Sequence, residues 1–247
     1  MSEDRRMTVH MLSLLSLLFA TETLAGPPFK TDDPQPVDFL HWEFYIASQQ
    51  QFDQHETNAT YPHFELNYGV FRNIQLHLVA PLGYIHSHEG THYGYSDTEI
   101  GVKYRIVEET EATPQIGVFP LLELPTGDEN KQLGSGKVQA YLPAWIQKSW
   151  GRFTTYAGGG LWYNPGVGQK NWTFAGWEAQ YDFSEVVTLG GELYYQTADS
   201  QESQPSGGIN FGGFINLNEN DHILFSVGRT VTGTATITGY VGFQLTI

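Results

Sequence analysis

From residue 38 to the last residue the chain alternates apolar and polar side chains in segments of roughly ten to fifteen residues, the period of a strand with two unlike faces. The pattern predicts strands near 38–52, 61–71, 73–85, 95–107, 114–124, 137–150, 152–163, 170–182, 186–198, 207–217, 221–230 and 236–247. Tight turns at Arg72-Asn73, 108–113, Gly151-Arg152, Ser184-Glu185 and 218–220 follow the even strands. Longer polar connections at 53–60, 86–94, 125–136, 164–169, 199–206 and 231–235 follow the odd ones. An even set of strands with tight turns on one side and freer loops on the other is the pattern of a membrane-spanning barrel. The predicted fold class is therefore all-β, a single antiparallel transmembrane β-barrel of about twelve strands and outer-membrane type.

The lengths agree. About eleven residues at ~3.3 Å rise and ~40° tilt cover ~28 Å along the barrel axis, enough for an apolar band ~25 Å tall. In several segments the faces separate cleanly. Ile74, Leu76, Leu78, Ala80 and Leu82 oppose Gln75, His77 and Gly83; Ile100, Val102, Tyr104 and Ile106 oppose Glu99, Gly101, Lys103 and Arg105. Val187, Leu189, Leu193 and Tyr195 oppose Thr188, Gly190, Glu192 and Gln196. The sixth and seventh segments do not split this way. The last segment, with Ile237, Val241, Phe243, Leu245 and Ile247 on one face, resembles the C-terminal strand of outer-membrane proteins, with Ile in place of the usual terminal Phe. Trp42, Trp150 and Tyr181 near the turn ends, and Tyr61, Tyr84, Tyr95, Tyr163 and Trp172 near the loop ends, are expected to form interfacial girdles.

A Lys or Arg facing lipid would cost about 2–4 kcal/mol near the bilayer midplane. The polar face must therefore look into the lumen. The candidate lumen-lining residues are Glu43, Glu65, His77, Glu99, Lys103, Arg105, Glu123 and Glu192. Two readings stay open for them: a pore lining that sets selectivity, or an ion-paired plug that fills the interior. Twelve strands imply a backbone radius of about 12 Å, which leaves side chains room for a narrow passage.

Before the barrel, residues 1–25 read as a secretory signal, with Arg5-Arg6, the apolar Met11–Ala20 and Thr23-Leu24-Ala25 ahead of the cut. Residues 26–37 carry four prolines and predict an extended periplasmic arm that cannot join a central strand. The barrel is expected over 38–247. No later apolar run approaches the ~18 residues of a spanning helix. The chain has no cysteine, so neither disulfides nor thiolate metal sites enter. Its net charge of −15 becomes −14 for residues 26–247, from 10 Lys and Arg against 24 Asp and Glu, which argues against nucleic acid.

Three motifs match a functional pattern only in part. His88-Glu89-Gly90-Thr91-His92 matches H-E-x-x-H, but in a polar loop rather than on the helix that chemistry needs. Gly134-Ser135-Gly136-Lys137 lacks the spacing of a phosphate loop. Asn220, His222 and Ser226 are too far apart along an extended strand to make a nucleophile–base pair. No catalytic, metal or cofactor site is expected. Gly158-Gly159-Gly160 is read as a bend or a close backbone approach.

Several stretches resemble a family of outer-membrane transporters named for the meta-cleavage pathway of phenol degradation. They are Gly26–Pro34, with Thr31-Asp32-Asp33-Pro34; His41–Tyr45; Glu65–Val70; Gly94–Arg105, with Asp97-Thr98-Glu99-Ile100-Gly101-Val102-Lys103-Tyr104; Phe119–Gly127; and Leu189–Thr197. The resemblance implies an outer-membrane barrel that passes small solutes, aromatic ones among them, and carries over no functional residues. The leading expectation is thus a passive channel in the bacterial outer membrane, with no enzymatic activity. Its partners would be outer-membrane lipid, a small-molecule solute and the barrel-assembly machinery. The alternatives are a closed structural or surface-interaction barrel, a lipid-modifying barrel enzyme and, more remotely, a soluble barrel that carries lipid.

Overall fold

The computed structural model describes residues 27–247, so the leader expected at 1–25 lies outside the described residues. Fourteen strand segments make one closed antiparallel sheet. They are β1 (Trp42–Phe52), β2 (Thr57–Phe71), β3 (Ile74–Ser87), β4 (Gly90–Tyr95), β5 (Thr98–Val107), β6 (Gln115–Val118), β7 (Leu121–Leu124), β8 (Gln139–Trp150), β9 (Phe153–Tyr163), β10 (Trp172–Asp182), β11 (Val187–Gln196), β12 (Ser206–Asn216), β13 (Asp221–Thr232) and β14 (Ile237–Thr246). β4 and β5 are one stave interrupted at Ser96-Asp97, because both pair with β3. β6 and β7 are another, interrupted at Phe119-Pro120, because both lie between β5 and β8. That leaves twelve staves, and β1 pairs with β14 to close the ring. Closure leaves no unpaired stave in the ring, as a strand in lipid requires, and only β4, where the chain runs past the other staves, is paired on one side alone.

The period-two pattern is obeyed stave by stave. Ile46, Leu76, Leu78, Ile100, Val102, Leu189 and Leu193 are exposed on the outer wall, while Gln75, His77, Glu99, Lys103 and Glu192 are buried inside. Burial here runs opposite to a soluble protein's, with apolar side chains on the outside and ionic ones inside. β8 and β9, whose faces the sequence left unassigned, turn Tyr141, Trp145, Tyr156 and Trp162 inward. Trp172, expected in the loop-side girdle, also points inward and is 8% exposed. Its parity, shared with Phe174 along β10, sets its face, and nearness to the strand end does not.

The expected polar loop at 86–94 is instead a hairpin: β3 and β4 continue past the other staves and reverse at His88-Glu89, with Ser87 opposite Gly90. The loop at 125–138 is pinned at the Ser96-Asp97 interruption. Asp97 accepts from the Gly127 N–H (2.8 Å), the Ser135 N–H (2.6 Å) and the Ser135 hydroxyl (2.8 Å), and Leu133 is buried beside Gly83. At Gly159 a Cβ would sit 2.0 Å from the Phe174 carbonyl oxygen, so the strands approach more closely there than any other residue allows.

Candidate functional site

The N-terminal arm does not stand away from the barrel. Pro28 through Asp32, Pro34, Pro36 and Val37 are buried inside it. The arm enters beside Gly69, where Leu40 donates to the Gly69 carbonyl oxygen at 2.7 Å, and crosses the lumen. Four prolines keep it extended and remove donors that a lumen wall would have to satisfy. Most of the donors that remain find partners. The Lys30 and Thr31 N–H groups and the Thr31 hydroxyl all donate to the Glu192 carboxylate, and the Asn210 amide donates to the same group. The Val37 N–H donates to Gln75 Oε1 at 2.9 Å, and the Ser226 hydroxyl donates to the Pro28 carbonyl oxygen. At Gly176 a Cβ would lie 1.9 Å from Thr31 Oγ1, so the wall admits the arm only because that residue is glycine.

The arm meets two unlike walls. On the side of β8–β11 the lumen is aromatic: Tyr141 stacks on Trp162 (centroids 4.7 Å), Trp162 on Trp172 (5.4 Å) and Phe174 on Tyr194 (6.4 Å). Lys30 sits over the Tyr194 ring, 4.6 Å from its centroid. On the side of β1–β5 the lumen is ionic. Lys103 Nζ lies 3.0 Å from Asp32 and 3.6 Å from Asp33. His77 Nε2 is 2.9 Å from Glu99, and its Nδ1 is 2.7 Å from Asn67, whose amide in turn donates to Glu65.

Of the eight residues singled out from the sequence, Glu43, Glu65, His77, Glu99 and Lys103 line one cavity of about 220 Å³ toward the short-turn end. Arg105 lies nearer that end, with its guanidinium on Asn73 (2.8 Å) and Gln35 (2.9 Å). Glu123 is buried in register with Glu99. Glu192 faces them from the far wall and holds the arm. His63, Asn67 and Gln75 join the ionic wall and were legible by parity, two residues from Glu65 and His77. Lys30, Asp32 and Asp33 carried no such signal, because an irregular arm has no period to read.

Beyond the arm, toward the long loops, a second cavity of about 160 Å³ opens between β1–β2 and β11–β14. Burial holds the Glu56 carboxyl at its rim above the usual value, against the Asn58 amide that donates to it. The residues of the rejected motifs stay apart: Ser226 holds the arm, and His222 bonds Asn216 at 2.8 Å. Among the described residues no three His, Asp or Glu side chains are grouped to hold a metal ion.

A closed twelve-stave barrel with an apolar outer wall and a polar, ionic lumen is the architecture of outer-membrane channels and porins. The family model described as "Putative MetA-pathway of phenol degradation" matches residues 49–247, and the chain belongs to that family. Among solved structures, an outer membrane channel from Pseudomonas putida F1 aligns with a TM-score of 0.71 at 15% identity, over 88% of this chain and 99% of that one. The KdgM porin, solved in complex with disordered oligogalacturonate, aligns at 0.56 and 12% identity, over 81% and 98%. The CymD monoaromatic hydrocarbon channel aligns at 0.50 and 8% identity, over 85% and 89%. No curated protein matches the chain in sequence. These likenesses are of fold, and they place the barrel with those of the outer membrane.

Proposed function

We propose that this protein is a passive outer-membrane channel for small solutes, and that residues 27–37 close its lumen in the state described above. The observation that carries the reading is the arm's position between two cavities, at 160 and 220 Å³, on opposite sides of Thr31–Asp32. Residues 27–37 take no part in the sheet and are held by hydrogen bonds, an ion pair and the buried Phe29 and Val37 side chains, so the arm can leave without breaking the wall. Short turns and termini face the periplasm in this reading. Glu43, Glu65, His77, Glu99, Lys103, Arg105, Glu123 and Glu192 line the path, and their excess of carboxylates favours cations. Outer-membrane lipid covers the apolar wall, and the barrel-assembly machinery inserts it. Aromatic solutes are proposed from the family description and from the name of the CymD relative; the proposal assigns no enzymatic activity.

The test is single-channel conductance of the refolded mature protein, with folding checked by heat-modifiable gel migration. Discrete steps whose size changes with Lys103→Ala or Glu99→Ala support the channel. Folded protein in a silent bilayer refutes it and favours a second reading, a closed interaction barrel, which the arm inside the lumen also supports.

A further inference from the structure

The cavity at the long-loop end has a composition unlike the rest of the lumen. Nineteen residues line it, and thirteen are neutral amides or hydroxyls. Gln49 and Gln51 project from β1, Asn58 and Thr60 from β2, Thr238 from β14 beside Gln51, and Gln196 from β11. Only Ala59 and Tyr194 lack an amide, a charge or an aliphatic hydroxyl, and Lys30 already covers the Tyr194 ring. Asp53, Glu56 and Asp199 stand at the rim. The apolar surface here is that of threonine methyls and glutamine methylenes, interleaved with amides and hydroxyls, and no aromatic ring but that of Tyr194 lines the cavity. A carboxylated solute would meet three acidic side chains before it reached Lys30 on the floor.

Amide and hydroxyl side chains each offer both donors and acceptors. A dense array of them matches a ligand that is itself donor and acceptor at every carbon. The threonine methyls and glutamine methylenes between them match that ligand's C–H groups. The Asn58 Oδ1 atom is buried here with no partner of its own, and a buried acceptor gains most from a ligand hydroxyl. By the ~10–15 Å³ that one ordered water requires, the cavity holds on the order of ten waters, which is the space of one small molecule and not of a chain.

We propose that this vestibule is a binding site for a small, neutral, polyhydroxylated solute of monosaccharide or cyclitol size. The site lies on the outer side of the arm, so occupancy does not require the arm to move. Such a solute is held by many weak, individually replaceable hydrogen bonds, the arrangement that lets a permeant species enter and leave.

The experiment is saturation-transfer difference NMR on heat-modifiable, detergent-refolded mature protein. The probes are glucose and myo-inositol, with phenol and gluconate as comparators. The expected result is saturable signal from the two neutral polyols and weaker signal from phenol and gluconate. Gln51→Leu and Thr238→Val each remove one hydrogen-bonding group, and each is expected to raise the polyol dissociation constant about three- to tenfold. Saturable phenol signal that a polyol displaces would overturn the assignment of ligand class. So would gluconate binding more tightly than glucose. Folded protein that shows no saturable polyol signal, or polyol binding unchanged in both variants, would overturn the site. Binding is read without a bilayer, so a silent conductance trace with polyol binding intact would remove the channel reading and leave this one standing.

Discussion

Replacing Glu192 by Gln tests how the arm is held. In the structure the carboxylate accepts from both the Lys30 and Thr31 N–H groups and from the Thr31 hydroxyl, while Asn210 donates to the same oxygen as Lys30. An amide keeps one acceptor oxygen and turns an NH₂ toward donors, so at least one backbone N–H contact must be lost, because the Thr31 hydroxyl and the Asn210 amide can reverse roles and the Lys30 and Thr31 N–H groups cannot. Hydrogen bonds to a charged group contribute about 1.5–3 kcal/mol each. Loss of even one net contact thus raises the population of the displaced arm by about ten- to a hundredfold. Lys30 is buried beneath the vestibule and its following peptide bond is shielded, so trypsin cleavage after Lys30, read by mass spectrometry, reports that population while reclosing is fast. Cleavage should accelerate by the same factor in Glu192→Gln, with more frequent open steps in the bilayer. Unchanged cleavage and unchanged conductance, in a variant whose barrel is still heat-modifiable, would refute the tether.

Three further outcomes follow from the same geometry. Gly176→Val places a side chain where Thr31 Oγ1 sits, 1.9 Å from the Cβ position, and should expel the arm and raise conductance without unfolding the barrel; a closed, trypsin-resistant variant would contradict that. Lys103→Met strips the cation from Asp32 and Asp33 and leaves the buried Asp32 carboxylate without its counter-charge, which should cost about 3–5 kcal/mol; urea unfolding in lipid vesicles measures it, and a change under 1 kcal/mol, on the scale of an exposed pair, would count against the pairing. Burial raises the Glu56 carboxyl, so its neutral form fits the fold better: its share of stability is full below the ordinary carboxylate range and declines as pH rises through the raised value. On acidification Glu56 should therefore neutralise before exposed carboxylates do, lowering cation preference in reversal-potential measurements, and Glu56→Gln should abolish that early step.

Much of the wall was legible because the outer face and the lumen make opposite demands on alternate residues. Leu76 and Leu78 against Gln75 and His77, or Val102 and Tyr104 against Lys103 and Arg105, could be assigned by parity alone. The rule weakened where the lumen itself is aromatic. Tyr141, Trp145, Trp162 and Trp172 are apolar yet face inward, so β8–β10 present apolar side chains on both faces and periodicity carries no contrast there.

The sequence by itself determined the stave count, the closed antiparallel sheet and the polar face of β1–β5 and β11, because these follow from the two-residue period and turn spacing. Only the tertiary structure decided what fills the lumen. Thr31 meets Glu192 across 161 positions of sequence, Pro28 meets Ser226 across 198, and Gly176 makes room for Thr31 from a third stave. An arm without a period has no face to predict, and its place is set by donors and acceptors that become neighbours only after the barrel has closed around it.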